Sequence, residues 1–315
     1  MNKNSNILIT GGHGKVGKRL KEIMDHNGFE NVTSIGRDEV DLRYLNQIED
    51  FLGKLRPTHV FMLAAKVGGI QDNLKYPADY LIENLEIEVN LFKSLIQFRP
   101  EKCIFACSAG AYPIDSPNPK TEEMFMSGRP ESSNGGYVIA KILGVKLAEM
   151  LNKQYGIVTI SPMISNIYGT YDNYSLDKSH VISSLIKKIA VAKHLNLSEV
   201  ELLGTGEAKR EFIHVDDVAN GLIFLMSHFN KSEIINLGVG YDIKIKDLAN
   251  LIANKIGYHG SFKWDGPKTE GMSQRLCDIS KIIQLGFMPQ ISLVEGLDKT
   301  IKEFYSLNFD LSQGL

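Results

Sequence analysis

The sequence predicts an α/β protein: a doubly wound parallel sheet covered on both faces, with a smaller C-terminal α/β lobe. Three observations carry this. Short apolar runs alternate with longer stretches of helical periodicity through the first half of the chain. Those short runs are apolar on both faces, as strands are when helices cover both sides of a parallel sheet. The length, 315 residues, suffices for one large α/β unit or two modest domains.

Taken in order, residues 6–10 (Asn-Ile-Leu-Ile-Thr) read as a strand and 15–26 as a helix. A strand over 32–36 and a helix over 45–55 follow, then a strand over 58–65 and a long helix over 77–98. Residues 102–107 read as a strand, 136–155 as a helix and 157–163 as a strand. After Asn166 the rhythm changes. Residues 168–179 are rich in Gly, Asp, Asn, Ser and Tyr and read as a loop. A helix over 215–228 and a strand over 233–237 are expected to return to the main sheet.

The bulk numbers exclude several classes. The chain is 43% hydrophobic and 23% charged with a net charge of −2, and no basic stripe points to nucleic acid. A small anionic ligand stays compatible, since a few local cations suffice. No apolar run approaches the roughly 18 residues of a membrane span, and the polar start, Met1 to Asn6, lacks an apolar signal core. Cys103, Cys107 and Cys277 have no metal-like spacing and read as reduced thiols of a cytoplasmic protein. No metal site is expected.

The first turn carries a phosphate-binding pattern. Gly12-His13-Gly14-Lys15-Val16-Gly17 matches G-x-G-x-x-G, and Gly11 adds a second reading, G-x-x-G-x-x-G. The pattern follows a strand and opens a helix, the context that gives it meaning. Glycines let backbone N–H groups approach a pyrophosphate at the helix N-terminus, so a Rossmann-type dinucleotide site is expected at Gly11, Gly14, Lys15, Val16 and Gly17. The second strand ends in Gly36 and Arg37 rather than an acid. Arg37 suits a 2′-phosphate and favours NADP(H) over NAD, with Asp38 or Asp41 still able to serve a ribose or adenine. Residues 1–166, with 215–240, are the expected NADP-binding domain; 167–214 and 241–315 are the expected substrate lobe.

Twelve tyrosines and 27 lysines make about one Tyr-x-x-x-Lys expected by chance, so context has to separate the two that occur. Tyr174 and Lys178 fall in the loop-like stretch, whereas Tyr137 and Lys141 open a helix and share one face. Free tyrosine titrates near pH 10. An ammonium about 4 Å away contributes roughly 4 kcal/mol at an effective dielectric of about 20, enough to poise the phenol near neutrality. Ser108 follows a strand at the carboxyl edge of the sheet, where its hydroxyl can bond a substrate carbonyl.

A glycine-rich first turn, a Ser after a later strand and a helical Tyr-x-x-x-Lys together resemble the extended short-chain dehydrogenase/reductases. Leu63-Ala64-Ala65 and the block from Arg210 to Val218, which reads R-x-F-x-H-V-x-D, resemble motifs of the same group. Within it, the run Ala64-Ala65-Lys66-Val67-Gly68-Gly69-Ile70 is similar to a segment of the GDP-L-fucose synthase family, the GDP-4-keto-6-deoxymannose epimerase-reductases. So are Asn84-Leu85-x-Ile87-Glu88-x-Asn90, Tyr112-Pro113, Asn166-x-Tyr168-Gly169, Ser179-His180-Val181-Ile182, Arg275-Leu276-Cys277-Asp278 and Ser292-Leu293-x-x-Gly296-Leu297.

The resemblance implies a catalytic set of Ser108, Tyr137 and Lys141, and cofactor contacts from Asp41, Leu42, Ala64, Ala65 and Lys141. It implies substrate contacts from Ser108, Asn166, His180, Arg210 and Arg275, and a homodimer through a four-helix bundle made by the two long helices. The implied reaction is NADPH-dependent reduction of the C4 keto group of a GDP-linked 4-keto-6-deoxy sugar, hexose or heptose. That family epimerises with a Cys and a His; His180 is in register, but the Cys position, two before Tyr112, is Gly110. Cys107 precedes Ser108, and adjacent extended residues point to opposite sides, so it is not expected to substitute. Leu203 and Thr170 also replace an aromatic and a proline expected there.

Reduction without C3/C5 epimerisation is therefore the expected activity, and the bifunctional epimerase-reductase is the alternative. A 4,6-dehydratase is disfavoured by Ala109 and Gly110 after Ser108, and a UDP-sugar 4-epimerase by Arg37. A non-catalytic NADP-binding regulator would have no need of Ser108, Tyr137 and Lys141 together.

Overall fold

The computed structural model describes all residues except 132–134, 176–178, 267–271 and 314–315. In chain order it runs β1 (Ile7–Thr10), α1 (Lys15–His26), β2 (Val32–Ile35), α2 (Leu45–Leu55), β3 (His59–Met62), α3 (Ile70–Lys75), α4 (Pro77–Phe98), β4 (Lys102–Phe105) and β5 (Cys107–Ser108). It continues with α5 (Gly135–Tyr155), β6 (Thr159–Ile164), β7 (Asn166–Tyr168), α6 (Val181–His194), β8 (Glu199–Leu202), β9 (Lys209–Arg210), β10 (Phe212–His214), α7 (Val215–His228) and β11 (Ile234–Leu237). The last elements are β12 (Ile243–Lys244), α8 (Ile245–Ile256), β13 (Ser261–Trp264), β14 (Gln274–Arg275), α9 (Ser280–Gln284) and α10 (Leu293–Ser306).

The main sheet has the order β11-β6-β4-β3-β1-β2, with β5 extending the pairing along β6, and every pair in it is parallel. The chain winds from β1 to β2 on one side, then crosses back to β3 on the other. That reversal opens a crevice at the carboxyl ends of β1 and β3. Side chains alternate between two cores. Leu8, Val60, Cys103 and Phe105 face α2, α4 and α5, whereas Ile7, Ile9, Phe61 and Ile104 face α1 and α7. A third core joins α6, α8 and α10 through Ile186, Ile189, Leu248, Ile252, Leu297 and Phe304. No helix among the described residues is long and apolar enough to cross a membrane.

Two strands are shorter than the apolar runs suggest. The run over 58–65 leaves the sheet after Met62, because the backbone around Ala64 packs over the glycine turn instead of continuing the ladder. The run over 102–107 breaks at Ala106, whose N–H bonds the Met62 carbonyl (3.2 Å), and resumes as β5 against the far end of β6. The expected strand over 233–237 does join the main sheet, with Ile234 opposite Ser161.

The R-x-F-x-H-V-x-D block is mostly scaffold. His214 caps α7, its Nδ1 accepting the Asp216 N–H at 3.2 Å. Asp216 pairs with Arg19 of α1 at 2.6 Å, and Asp217 accepts the N–H groups of Gln290 and Ile291, both at 2.9 Å. Glu211 is 1% exposed and fully used. Its Oε1 accepts Val239 N–H (2.6 Å) and Gly240 N–H (2.8 Å); its Oε2 accepts Cys277 N–H (3.0 Å) and the Ser165 hydroxyl. One carboxylate thus joins the ends of β6 and β11 to the segment after β14. Glu211→Ala would strand four donors, two of them buried (the Ser165 hydroxyl and the Cys277 N–H), and should lower stability by about 2 kcal/mol or more in urea unfolding; a loss under about 1 kcal/mol would refute the hub role.

Candidate active site

The glycine turn is wedged between the ends of β2 and β3. Gly12 donates its N–H to the Ile35 carbonyl at 2.7 Å. Gly11 has φ +70°, and a Cβ there would lie 2.7 Å from Ala64 N. A Cβ on Gly17 would press on the Gly11 carbonyl and sit 2.7 Å from Gly12 Cα. Helix geometry leaves the first N–H groups of α1, at Lys15, Val16 and Gly17, without intrahelical partners, a ready site for an anion. The Lys15 side chain is engaged elsewhere. Its Nζ pairs with the buried Asp172 (2.7 Å) and donates to the Ile167 carbonyl (3.0 Å), tying the loop after β7 to the nucleotide turn.

Past β2, Arg37 is 65% exposed, its Nε 3.5 Å from Asp41. Asp41 is held mainly by Arg43 (2.6 Å), which brings its carboxyl down to about 2. The turn that follows brings a further acid, beyond Asp38 and Asp41, back to the strand end. Glu39 accepts the Gly36 N–H (2.8 Å) and pairs with His13 (3.1 Å). Its only sequence signal was a position three residues past Gly36.

Helix α4 presents a row of polar groups to this region. Asn84 brackets Lys66, accepting its N–H at 2.8 Å and donating to its carbonyl at 3.1 Å. Asn90 donates to the carbonyls of Arg43 (2.8 Å) and Leu42 (3.3 Å). Glu83 pairs with Lys66. The Asn84/Glu88/Asn90 motif therefore holds the two loops that carry the expected cofactor contacts Leu42, Ala64 and Ala65.

Ser108 ends β5, half-buried, its Oγ accepting the Gly110 N–H at 3.1 Å. Tyr137 lies half-buried at the start of α5. One turn on, Lys141 is 2% exposed, with Nζ 4.5 Å from the centre of the Phe105 ring and 5.9 Å from that of Tyr137. The expectation that Lys141 alone poises the phenol near neutrality needs correction. Lys141 pairs with Glu88 of α4 at 3.2 Å. Burial first, then Cys107 and Glu88, push the Tyr137 hydroxyl well above its ordinary range. The physical reason is burial, which disfavours the phenolate, with Cys107 and the Glu88 carboxylate adding to it.

Cys107 is buried, and its thiol is pushed up to about 12, chiefly by burial. That suits a packed side chain and not a proton shuttle. Gly110 is buried, and a Cβ there would be 3.3 Å from Ser108 Oγ, 3.6 Å from Arg275 Nη1 and 3.7 Å from Val138 Cγ2. Arg275 thus reaches the neighbourhood of Ser108, steadied by an ion pair with Glu131, its Nε buried without a hydrogen bond. Arg210 and Arg275 are register partners on the parallel pair β9–β14, so the two arginines sit side by side. Arg210 donates to the Lys209 carbonyl at 2.8 Å. The Asn166 side-chain amide donates to the Glu211 carbonyl at 2.7 Å.

His180 stands just before α6 with an exposed surface. Its imidazole is nonetheless held below its usual range, first by surrounding protein and then by Lys15, with Asp172 opposing. Of the second Tyr-x-x-x-Lys, Tyr174 is a core residue, 3% exposed and 3.4 Å from the Thr300 carbonyl, and Lys178 lies outside the described residues.

Residues 7–238 match the NAD dependent epimerase/dehydratase family. A rice protein named probable GDP-L-fucose synthase 1 is 38% identical over 301 residues, 95% of this chain and 92% of that one. A GDP-6-OMe-4-keto-L-xylo-heptose reductase from C. jejuni superimposes with a TM-score of 0.91 at 30% identity, covering 98% of this chain and 99% of that one. A GDP-mannoheptose C4 reductase from Campylobacter jejuni, solved with NADP bound, superimposes with a TM-score of 0.87 at 31% identity, covering 97% and 99%.

The tight contact at Gly17 makes a prediction. Gly17→Ala should lift α1 off the turn, at the 1–3 kcal/mol typical of overpacking. Binding of a nicotinamide dinucleotide, followed by fluorescence titration, should weaken at least about tenfold; unchanged binding would show that the turn does not cradle the nucleotide.

Proposed function

The chain belongs to the NAD dependent epimerase/dehydratase family, and we propose that it is an NADPH-dependent reductase acting on the C4 keto group of a GDP-linked 4-keto-6-deoxy sugar. The observation that carries this reading is that Lys141 lies beside Tyr137 on α5, which packs against β5, the strand that ends in Ser108 on the same rim of the sheet as the glycine turn. The named activities of its relatives, GDP-sugar synthases and GDP-heptose reductases, support the substrate class. We assign residues 1–166 with 215–240 to the cofactor, and 167–214 with 241–315 to the sugar nucleotide.

The turn fits NADPH: a pyrophosphate needs N–H groups without a Cβ in the way, and Gly11 and Gly17 leave none. Arg37 offers an exposed guanidinium for the 2′-phosphate. Bound there, NADPH would supply the hydride for the carbonyl carbon. The Ser108 hydroxyl donates to the carbonyl oxygen and stabilises the charge that develops on it. The Tyr137 hydroxyl gives that oxygen its proton. Lys141 keeps a positive charge close to the tyrosine oxygen as the proton leaves. Arg210 and Arg275 serve the diphosphate end of the substrate, with Asn166 and His180 as further sugar-nucleotide contacts.

Gly110 leaves the epimerase base without a side chain, and buried Cys107 does not replace it. Reduction without C3/C5 exchange is therefore the reading, and the bifunctional epimerase-reductase is the alternative. Incubation with GDP-4-keto-6-deoxymannose and NADPH in deuterated buffer, read by NMR, tests both. Turnover without deuterium at C3 or C5 is expected, with NADPH preferred to NADH. Deuterium entering at a catalytic rate would establish the alternative, and no turnover of any GDP-linked keto sugar would sink both. Tyr137→Phe should lower kcat at least about 100-fold.

We also propose a homodimer built on α4 and α5. Ile82, Val89, Ile139, Leu143 and Met150 are between 36% and 61% exposed on these helices, an apolar set that a partner's copy would cover. Leu143→Glu should yield a monomer in analytical ultracentrifugation, and a dimer surviving that change would place the interface elsewhere. Three buried, unpaired cysteines support a cytoplasmic setting.

A further inference from the structure

A phosphate-binding turn uses its glycines and its backbone N–H groups, which leaves the side chain at position 15 without a set task. Lys15 gives its ammonium to the loop after β7. The Nζ lies 2.7 Å from Asp172 Oδ1 and donates to the Ile167 carbonyl at 3.0 Å, a contact across 152 residues of chain. Both partners are covered, the Lys15 side chain to 14% exposure and that of Asp172 to 1%. Asp172 Oδ1 also accepts the Asn173 N–H at 2.9 Å, and Oδ2 is buried without a hydrogen bond. A covered ion pair adds little net stability, because desolvation offsets the attraction. What it does is fix a distance.

The loop needs holding. Gly169 has φ +121° and Tyr171 φ +66°, and a left-handed tyrosine persists only where its surroundings enforce it. Tyr171 donates its N–H to Glu303 of α10 at 2.9 Å and its hydroxyl to Glu22 of α1. The two Lys15 contacts fall on either side of this turn. Ile167 follows Asn166, and Asp172 opens the stretch that leads to His180. Asn166 and His180 are the two residues of this segment assigned above to the sugar nucleotide. We propose that Lys15 is a positioning residue for the reduction: its ammonium sets the loop that carries Asn166 and His180 at a fixed place over the cofactor turn, while its backbone N–H serves the cofactor. This rests on the reading that the turn takes the dinucleotide and the lobe takes the GDP-sugar. Under it the Lys15 side chain is a strut between the two ligands and not a phosphate ligand.

Lys15→Met keeps the turn and its N–H groups but leaves the Asp172 carboxylate covered without its cation, so the loop has to open to hydrate it. In titration calorimetry, NADP+ should bind this variant within about threefold of wild type, which also reports an intact turn. GDP-mannose, an unreactive probe added with NADP+ at saturation, should bind at least about tenfold more weakly. Amide hydrogen exchange over residues 169–175 should quicken at least about tenfold. Adding Asp172→Asn removes the stranded charge and should recover much of both losses, and Lys15→Arg, which keeps the cation, should stay near wild type. Weaker NADP+ binding with unchanged GDP-mannose binding would make the ammonium a phosphate ligand and overturn the proposal. So would unchanged exchange in Lys15→Met, or a double variant no better than Lys15→Met alone. Failure of the wild type to bind GDP-mannose would count against the substrate class instead, while the exchange rates still decide whether Lys15 holds the loop.

Discussion

A parallel sheet buried on both faces leaves the chain only its two rims for turning, and the rest of this molecule follows from that constraint. Every strand in the main sheet points the same way, so every connection that departs from a carboxyl end lands on one rim. The glycine turn, the Leu63–Ala65 stretch and Ser108 arrive there from β1, β3 and β5 without further guidance. The crossing from β2 to β3 separates the loops at that rim, and the crevice between them is where a dinucleotide can lie.

Helix α4 turns this proximity into order. Its Asn84, Glu88 and Asn90 hold three different neighbours: the backbone of Lys66, the ammonium of Lys141 and the carbonyls at Leu42 and Arg43. Two are neutral amides satisfied by backbone, and the middle one is a charge. A rigid helix thereby spaces the loop after β2, the loop over the glycine turn and α5. Scaffold roles of the same kind fall to Glu211 and His214, where the R-x-F-x-H-V-x-D block is largely a set of caps and clamps.

Most of the fold was legible because burial leaves a period in the sequence. Helices α1, α2, α4 and α7 and the strands of the main sheet sit where apolar spacing puts them, as does the return of β11. Periodicity reports which positions are covered and not what covers them, so it missed the break at Ala106 and the departure after Met62, both decided by neighbouring chain. The same gap governs the site. Glycines, Ser108, Tyr137 and Lys141 carry local patterns. Glu88 beside Lys141 and Arg210 beside Arg275 are pairings across the fold, with separations of 53 and 65 residues that no window spans. The Lys141 charge was read without its counter-ion for that reason, and the burial that pushes the phenol up left no mark in the sequence.

Gly110 carries a consequence beyond its own site. A position with no side chain can neither take a proton from carbon nor return one to the other face. On the proposed reading, the configuration at C3 and C5 passes through this protein as it was received. Those stereocentres must be settled by whichever carbon-acid chemistry precedes it, and this chain decides only the C4 hydroxyl. One missing side chain thus divides between two proteins a task that a single active site can combine.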